Sequence, residues 1–409
     1  MNCRHCDTKL EISFANLGSA PPSNAYLTEK DLTAFEKYYP LNVMVCTHCW
    51  LVQTEDYANR EELFSAVYAY FSSFSSSWLE HSRNYALAMI KRFKLNSQSR
   101  VGEIAANDGY LLQYFQKENI PCYGVEPTES TAQAARAQNL TIFSDFFGVD
   151  LAKTLVQKNY AADLLAANNV LAHVPDINDF VAGFSVLLKP NGVATFEFPH
   201  LYQLVKESQF DTIYHEHFSY LSLSAVMRIF DRNGLCVFDV EQLATHGGSL
   251  RVFAQRKDSG THAIEDRVEQ LLALEQQAGI VNASFYQSFQ HRMVEIKRQF
   301  LLFLLAAQAR NEIVVGYGAA AKGNTLLNFS GIRADLLAYV VDRNPSKQNK
   351  FLPGSHIPIK MEEQLRQDKP HWIVILPWNL KEEIMTQLSY TRDWGAKFVT
   401  AIPTLTVIE

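Results

Sequence analysis

Apolar and polar positions alternate between strand-like and helix-like patterns over much of the chain. From residue 101 onward, short apolar runs are each followed by a segment of helical periodicity, and this alternation predicts a parallel sheet with helices on both faces. The predicted strands are 102–105, 123–126, 141–143, 163–168 and 193–198. Two later apolar runs, 235–240 and 249–255, predict a hairpin that closes one edge. The pattern is typical of an α/β, doubly wound domain.

The same alternation restarts near the carboxyl end. Residues 313–316 and 337–341 predict two more strands, so 309–409 is expected to form a smaller Rossmann-like unit. Between the two units, 263–308 shows helical periodicity with few breakers and predicts one or two long helices. Residues 61–98 are also helical in pattern, with a Ser-rich interruption at 72–77. The chain is therefore divided into the four segments 1–60, 61–262, 263–308 and 309–409.

Composition narrows the class of protein. The 409 residues exceed what one hydrophobic core usually serves, and 47% hydrophobic with 20% charged residues is ordinary for a soluble protein. A net charge of −6 argues against a general nucleic-acid binder. The longest apolar run, 300–307, is too short to span a bilayer, and no signal segment opens the chain. We expect a cytoplasmic protein with neither a nucleic-acid nor a membrane partner.

Four of the six cysteines form two CxxC units near the amino terminus, and these predict a zinc site. Each unit presents two thiolates to one metal, which fills all four tetrahedral positions and makes the site structural. His5 and His48 lie inside the units and are interpreted as bystanders. A redox dithiol or chance spacing is the alternative. The predicted ligands are Cys3, Cys6, Cys46 and Cys49.

Residues 103–109 leave a predicted strand and enter a helix, which is where open α/β sheets bind ligands. The segment lacks GxGxxG, but Glu126 ends the next strand, where a carboxylate can accept hydrogen bonds from a ribose diol. The acidic and aromatic loop 144–147 suits an adenine ring. A plain structural turn is the alternative. The predicted cofactor-binding set is Glu103, Ala105, Asn107, Gly109, Glu126, Asp145 and Asn168.

The segment 214–217, with sequence YHEH, follows the strand 193–198 and therefore lies at the same sheet edge. In an extended chain, His215 and His217 would share one side, and a carboxylate beside an imidazole can orient and tune a general base. A zinc pair is disfavoured because HExxH spacing is absent, and a packed structural histidine is the main alternative. His173 follows another strand into this cleft, where it would bind substrate or cap a helix.

Two glycine-rich segments are further candidates. Residues 245–251 join the two late strands and are consistent with a simple hairpin turn. In 316–323 the glycines would expose backbone amides at a helix start and Lys322 adds a cation, which predicts a phosphate site. Asp342 ends the next strand, where a ribose acceptor would lie. A nucleotide fold that has kept its shape without its ligand is the alternative.

Taken together, these motifs resemble the zinc-containing sugar C-methyltransferases, which use S-adenosylmethionine to methylate C-3 of nucleotide-linked 4-keto deoxysugars. The resemblance covers nearly the whole chain and is carried by the CxxC pairs, EIAANDG (103–109), YHEH (214–217), GGSLR (247–251) and GYGAAAKGN (316–324). The family usually has glycine where Ala105 stands, so the cofactor loop departs from the pattern at one position.

The resemblance implies a zinc module, a methyltransferase sheet and a Rossmann-like unit, with the active site between them and the zinc distant from it. It implies His217 as the base that removes the C-3 proton, with Glu216 beside it. Tyr214 and His173 would contact substrate. A lid tyrosine would be Tyr70 or Tyr68, with Tyr70 preferred, although core packing is the alternative for both. The remaining substrate-binding candidates for a dTDP-linked sugar are Lys322, Asn324 and Asp342.

Two other functions compete with this one. The segment 316–342 would suit NAD in an oxidoreductase or epimerase acting on nucleotide sugars. A noncatalytic binding protein, whose zinc module recruits a partner, is the alternative from another class.

Overall fold

The computed structural model describes residues 1–55, 57 and 71–409 of the chain. Tyr68 and Tyr70, the two candidates for a lid tyrosine, lie outside the described residues.

The amino-terminal region forms a small antiparallel sheet that carries the cysteines on its turns. Its strands are β1 (Ile12–Ala20), β2 (Tyr39–Val45) and β3 (Val52–Thr54). A short strand from much later in the chain, β9 (Ser219–Tyr220), completes the sheet by pairing with β3. The zinc module is thus joined to the central domain through backbone hydrogen bonds just after the YHEH segment.

The central sheet has the predicted α/β architecture. Its strands in chain order are β4 (Val101–Ile104), β5 (Cys122–Val125), β6 (Thr141–Phe143), β7 (Ala162–Asn168), β8 (Leu188–Pro199), β10 (Leu235–Leu243) and β11 (Ser249–Arg256). The spatial order is β10-β11-β8-β7-β4-β5-β6, with β4 to β8 parallel. The order reverses direction between β4 and β7, and ligands bind at the carboxyl side of such a switch point. The predicted hairpin is present, with β11 inserted between β8 and β10.

Helices cover both faces of this sheet. They are α1 (Ser76–Phe93), α2 (Leu112–Lys117), α3 (Glu129–Arg136), α4 (Val149–Gln157), α5 (Ile177–Leu187), α6 (Leu201–Lys206) and α7 (Leu223–Arg232). In α7 the buried residues include Leu223, Val226 and Phe230, spaced for one helical face, and the Ser222 hydroxyl caps the helix by accepting from the Ala225 amide. Every residue of β4 is buried, as a parallel strand sandwiched by helices requires.

Connecting helices lead to the second parallel sheet. The helices are α8 (Asp266–Ala278), α9 (Ser284–Gln287) and α10 (Phe289–Ala309). The strands that follow are β12 (Val314–Tyr317), β13 (Val340–Val341), β14 (Ile359–Lys360), β15 (Trp372–Ile375), β16 (Lys397–Thr400) and β17 (Thr406–Ile408), in the order β14-β13-β12-β15-β16-β17. The remaining helices are α11 (Ala321–Ser330), α12 (Gln364–Asp368) and α13 (Lys381–Gln387).

All of these sheet strands are parallel except β17, so the expected Rossmann-like unit is present. Its β13 is shorter than the predicted 337–341. No helix in the described ranges is both long and apolar enough to cross a membrane.

Candidate active site

A cavity of about 390 Å³ lies at the carboxyl ends of the central strands. Its walls come from all three bodies: Asn24 from the zinc module, the loops after β4, β5 and β7, and residues 320–322 of the Rossmann-like unit. Many of the predicted site residues line it, namely Ala105, Asn107, Glu126, Asn168, His173, Tyr214, Glu216, His217 and Lys322. The tertiary structure therefore brings the cofactor, base and substrate candidates into one space.

The four cysteines form a separate cluster that fits zinc. Their sulfur atoms all lie within 4.8 Å of one another, with Sγ–Sγ distances of 3.5 Å for Cys3–Cys49 and for Cys6–Cys46. Four thiolates at a Zn–S distance of about 2.3 Å in a tetrahedron are separated by roughly 3.8 Å. The donor set and spacing match a closed structural site, and none of the four lines the cavity.

The first CxxC turn is docked against the wall of the cavity. The Arg4 guanidinium donates to the Pro175 carbonyl oxygen at 3.0 Å, and the His5 ring bonds to the Asn178 side chain at 2.8 Å. Pro175 itself lines the cavity, two residues after His173. The turn that carries two of the predicted zinc ligands therefore contacts the wall of the active site through the residues between those ligands.

The cofactor loop after β4 is held by its own carboxylate partner. Glu126 accepts from the amide of Asn107 through Oε2 and from the amide of Thr128 through Oε1, both at 2.9 Å. Burial raises the pKa of Glu126, and these two amides oppose the rise. Ala105 has a φ of +60°, a conformation that favours glycine, so the backbone is strained at this position of the cofactor loop.

The cavity wall near this loop also offers an unused polar group. Among the described residues, the buried Oδ1 of Asn168 has no hydrogen-bond partner, and Asn168 ends β7 beside the loop. Together with Glu126 it supplies the polar contacts that a nucleoside cofactor requires in an otherwise apolar pocket. Phe146 and Phe147 of the predicted adenine loop also line the cavity. These residues fit S-adenosylmethionine.

Three of the predicted cofactor-binding residues lie outside the cavity lining. Glu103 is fully buried, and burial raises its pKa well above the usual range, against the opposing effect of the Tyr110 hydroxyl. Gly109, with a φ of +81°, closes the turn where a Cβ would come within 2.4 Å of Leu140. Asp145 is exposed, and its Oδ1 accepts from the Phe146 amide at 2.8 Å. In this structure Gly109 and Asp145 therefore shape the loops around the cavity, whereas Glu103 is buried within β4.

His217 is positioned as the base candidate requires. Its Nδ1 donates to the Thr212 carbonyl oxygen at 2.8 Å, which leaves the lone pair of the neutral ring on Nε2. Burial lowers the pKa of His217 well below its usual value, and a nearby His173 contributes to this shift. The rings of Tyr214 and His173 lie 4.0 and 4.6 Å from the His217 ring. The imidazole is thus fixed in one tautomer and unprotonated at neutral pH.

Glu216 faces the same cavity, and burial raises its pKa to about 7. Its Oε2 accepts from the Asn24 side chain at 2.6 Å, and its backbone oxygen accepts from Nδ1 of His173 at 2.8 Å. The expectation that His215 and His217 share one side is wrong, because the segment turns: the His217 amide bonds to the Tyr214 carbonyl oxygen. His215 points instead toward the Tyr39 and Pro40 carbonyl oxygens of β2.

The glycine-rich loop after β12 is bonded differently from the expectation. The amides of Gly316 and Gly318 donate to carbonyl oxygens of Tyr339 and Val341, so they are not available to a phosphate. Asp342 accepts from the Ala319 amide at 2.8 Å, as Glu126 does from Asn107 in the central sheet. Asp342 is not part of the cavity lining, and its carboxylate holds the glycine-rich loop through the Ala319 amide.

Lys322 is the residue of this loop that brings a charge to the cavity. Its Nζ donates to Asn379 at 2.6 Å and lies 4.7 Å from the centre of the Trp378 ring. Burial lowers the pKa of Lys322, and the Asp211 carboxylate opposes that shift. Asn324 is buried two residues further along α11, outside the cavity lining, and in the described structure neither of its side-chain polar atoms has a partner.

Sequence reasoning missed several cavity residues, of which Asn24, Trp78, His246 and Lys347 carry distinct chemistry. Asn24 occurs in the turn-rich PPSN segment, which has no local signal for a contact with Glu216, 192 residues away. Trp78 is held by its ring stacking on His81, whose Nε2 bonds to the buried Glu197 at 2.8 Å. For His246, the two glycines that follow it were the sequence signal that could have identified its loop as part of the cavity.

Family models match three consecutive parts of the chain. Residues 3–64 match a zinc binding domain, 78–240 a methyltransferase domain and 244–403 a C-methyltransferase C-terminal domain. These matches and the cavity define the class as an S-adenosylmethionine-dependent methyltransferase with a zinc module.

The chain is also similar to the C-methyltransferase NovU from Streptomyces niveus, with 32% identity over 407 residues, covering 100% of this chain and 96% of that protein. It therefore belongs to the zinc-containing C-methyltransferase family. The predicted family, cofactor and zinc are confirmed, and the noncatalytic alternative is excluded.

Solved structures show weaker likeness. The PH0226 protein from Pyrococcus horikoshii is 14% identical and covers 46% of this chain and 95% of its own, with a TM-score of 0.39. A magnesium protoporphyrin IX methyltransferase from Synechocystis with bound SAH is 15% identical and covers 44% of this chain and 83% of its own, with a TM-score of 0.34. At these scores the family assignment rests on the domain matches and on NovU.

Proposed function

We propose that this C-methyltransferase acts on C-3 of a nucleotide-linked 4-keto deoxysugar, with His217 as the base. The observation that carries the proposal is the fixed tautomer of His217, whose Nε2 lone pair is available in the cavity that also holds the cofactor loop. A C-methyltransferase needs a carbon nucleophile, and a carbonyl at C-4 makes the neighbouring C–H bond acidic enough for a histidine to generate one.

The residues have complementary roles in this reaction. Nε2 of His217 takes the C-3 proton, and the Glu216 carboxylate on the same wall lowers the free energy of the imidazolium that forms. Tyr214 and His173 hold the ring of His217 by direct ring contacts. When bound, S-adenosylmethionine supplies the electrophilic methyl group. The apolar wall formed by Phe146, Phe147 and neighbouring side chains limits water at the reacting carbon.

The nucleotide end of the substrate is assigned to the Rossmann-like side of the cavity. Among the described residues, Lys322 and Lys347 bring ammonium groups to the cavity lining, and a sugar nucleotide carries two phosphate charges. We propose a dTDP-linked sugar on the strength of the family resemblance. Asp342 then acts by fixing the loop before Lys322 through the Ala319 amide, and Asn324 remains a proposed substrate-binding residue. We also propose that the four predicted segments, 1–60, 61–262, 263–308 and 309–409, are the domains of this enzyme. A cluster of reduced thiolates favours a location in the cytoplasm.

The test is proton exchange at C-3. The purified protein is incubated with S-adenosylhomocysteine and a panel of dTDP-linked 4-keto deoxyhexoses in D2O, and deuterium at C-3 is followed by NMR. We expect exchange by the wild type and roughly a hundredfold or greater loss in His217→Asn. His291→Asn, on the exposed face of α10, is the matched control and should keep full exchange. Full exchange in His217→Asn would remove His217 as the base.

A further inference from the structure

His246 is held in a costly backbone conformation between β10 and β11. Its φ is +56°, and it is followed by Gly247 and Gly248 with φ values of +86° and +115°. A non-glycine residue in this region costs roughly 1–2 kcal/mol, and such residues cluster at functional sites. The loop is more than the simple hairpin turn that the sequence allows.

The surrounding contacts fix the loop in place. The Gly247 carbonyl oxygen accepts from the Gln209 side chain at 2.7 Å, and a Cβ on Gly247 would come within 2.4 Å of the Trp378 ring. The Ser249 hydroxyl donates to the Thr245 carbonyl oxygen at 2.9 Å. Trp378 also lies against Lys322, so the same ring contacts both the His246 loop and the lysine that lines the cavity.

The His246 ring forms part of the cavity wall and has an unused polar atom. It lines the cavity, and among the described residues its buried Nδ1 has no hydrogen-bond partner. Burial and the charge of Lys322 lower the pKa of His246 to about 4, although the Glu197 carboxylate opposes the shift. The ring is therefore neutral at physiological pH and can donate one hydrogen bond.

His246 lies where the cofactor side and the substrate side of the cavity meet. Its ring makes an edge contact with Trp78, at 5.2 Å between centroids, and Trp78 in turn lies 6.0 Å from Tyr110 beside the cofactor loop. A positive charge on His246 would lower the pKa of His217, so the two imidazoles act within one electrostatic site.

We propose that His246 is a further catalytic residue, whose ring N–H donates a hydrogen bond to the sugar oxygen that becomes the enolate. This inference rests on the proposed function. As His217 takes the C-3 proton, the electrons of the C–H bond form the C-3 to C-4 double bond and the carbonyl π pair moves onto oxygen. His246 keeps its proton throughout. A neutral imidazole is suited to this role because its hydrogen bond strengthens as the oxygen gains charge.

Two substitutions separate this role from a structural one. His246→Gly removes the ring and relaxes the backbone, because glycine adopts positive φ without strain. His246→Asn keeps a side-chain N–H donor in the loop, and asparagine also tolerates this backbone conformation. Each full-length, zinc-containing variant is compared with wild type in the D2O exchange assay with the same sugar panel, and S-adenosylhomocysteine affinity is measured by calorimetry. His291→Asn is the control.

We expect His246→Gly to lose exchange by about a hundredfold or more, the loss typical of removing one donor to an oxyanion. His246→Asn should recover at least a tenth of the wild-type rate, and both variants should bind S-adenosylhomocysteine within about threefold of wild type. Wild-type exchange in His246→Gly would overturn the inference alone. Equal losses in both variants together with lost cofactor affinity would also overturn it, in favour of packing. No exchange by the wild type would overturn the proposed function and this inference with it.

Discussion

Removing the Glu126 side chain should abolish most of the affinity for the cofactor. The carboxylate already accepts two backbone amides, from Asn107 and Thr128, and lines the cavity at the carboxyl end of β5. Each oxygen can accept a further hydrogen bond, so both hydroxyls of a ribose can be bound at once. The substitution Glu126→Ala therefore removes two charge-assisted hydrogen bonds to the ligand.

The size of the effect follows from those two bonds. A hydrogen bond to a charged group is worth about 1.5–3 kcal/mol, so two contribute about 3–6 kcal/mol, or roughly 10²- to 10⁴-fold in the dissociation constant. The backbone amides of Asn107 and Thr128 also lose their acceptor, so the loop relaxes and the affinity falls further. Glu126→Gln keeps one acceptor oxygen and should give an intermediate loss.

Isothermal titration with S-adenosylhomocysteine measures this directly. The matched control is Glu129→Ala, three residues along, because Glu129 is largely exposed and bonds to its own helix neighbours Gln133 and Arg136. We expect the control to bind as wild type does. A dissociation constant for folded Glu126→Ala within threefold of wild type would refute the reasoning and move the ribose site elsewhere.

Three further predictions concern pH, metal and backbone strain. Because the pKa of Glu216 is raised to about 7 and its charged form is the active one, kcat/KM should rise with pH through about 7. Glu216→Gln should lose this rise in the pH profile. An unchanged profile in the variant would contradict the role assigned to the Glu216 carboxylate. Cys6→Ser should lose bound zinc, measured by metal analysis, and zinc binding contributes about 10–16 kcal/mol to the folding of isolated zinc modules. The variant should also lose methyl transfer, because Arg4 of the same CxxC unit contacts Pro175 in the cavity wall. Full activity without zinc would contradict that coupling. Ala105→Gly should leave the free energy of unfolding in urea unchanged or raise it by up to about 1 kcal/mol. Glycine relieves the strain of the positive φ, and this gain offsets the greater conformational entropy of the unfolded chain. A loss above about 1 kcal/mol would show that Ala105 is unstrained.

Local patterns in the sequence determined the elements and several of the site's parts. Strand and helix periodicity predicted the central sheet, where β6 matches the predicted 141–143. The CxxC spacing predicted the zinc cluster because its ligands lie on two short turns. The position of Glu126 in the cofactor site was predictable, because the carboxyl ends of neighbouring parallel strands lie side by side. A residue at the end of β5 therefore lies close to the loop that follows β4.

Tertiary structure alone decided which side chains face the cavity. A turn at 214–217, closed by a hydrogen bond from the His217 amide to the Tyr214 carbonyl oxygen, separates His217 from His215. Asn24 meets Glu216 across 192 residues, and Tyr26 donates to the Ala319 carbonyl oxygen across 293. His246 is directed by packing against Trp78 and by a loop wedged beside Trp378. The sequence records periodicity and short spacings, whereas these contacts depend on how three parts of the chain that are distant in sequence pack around one cavity.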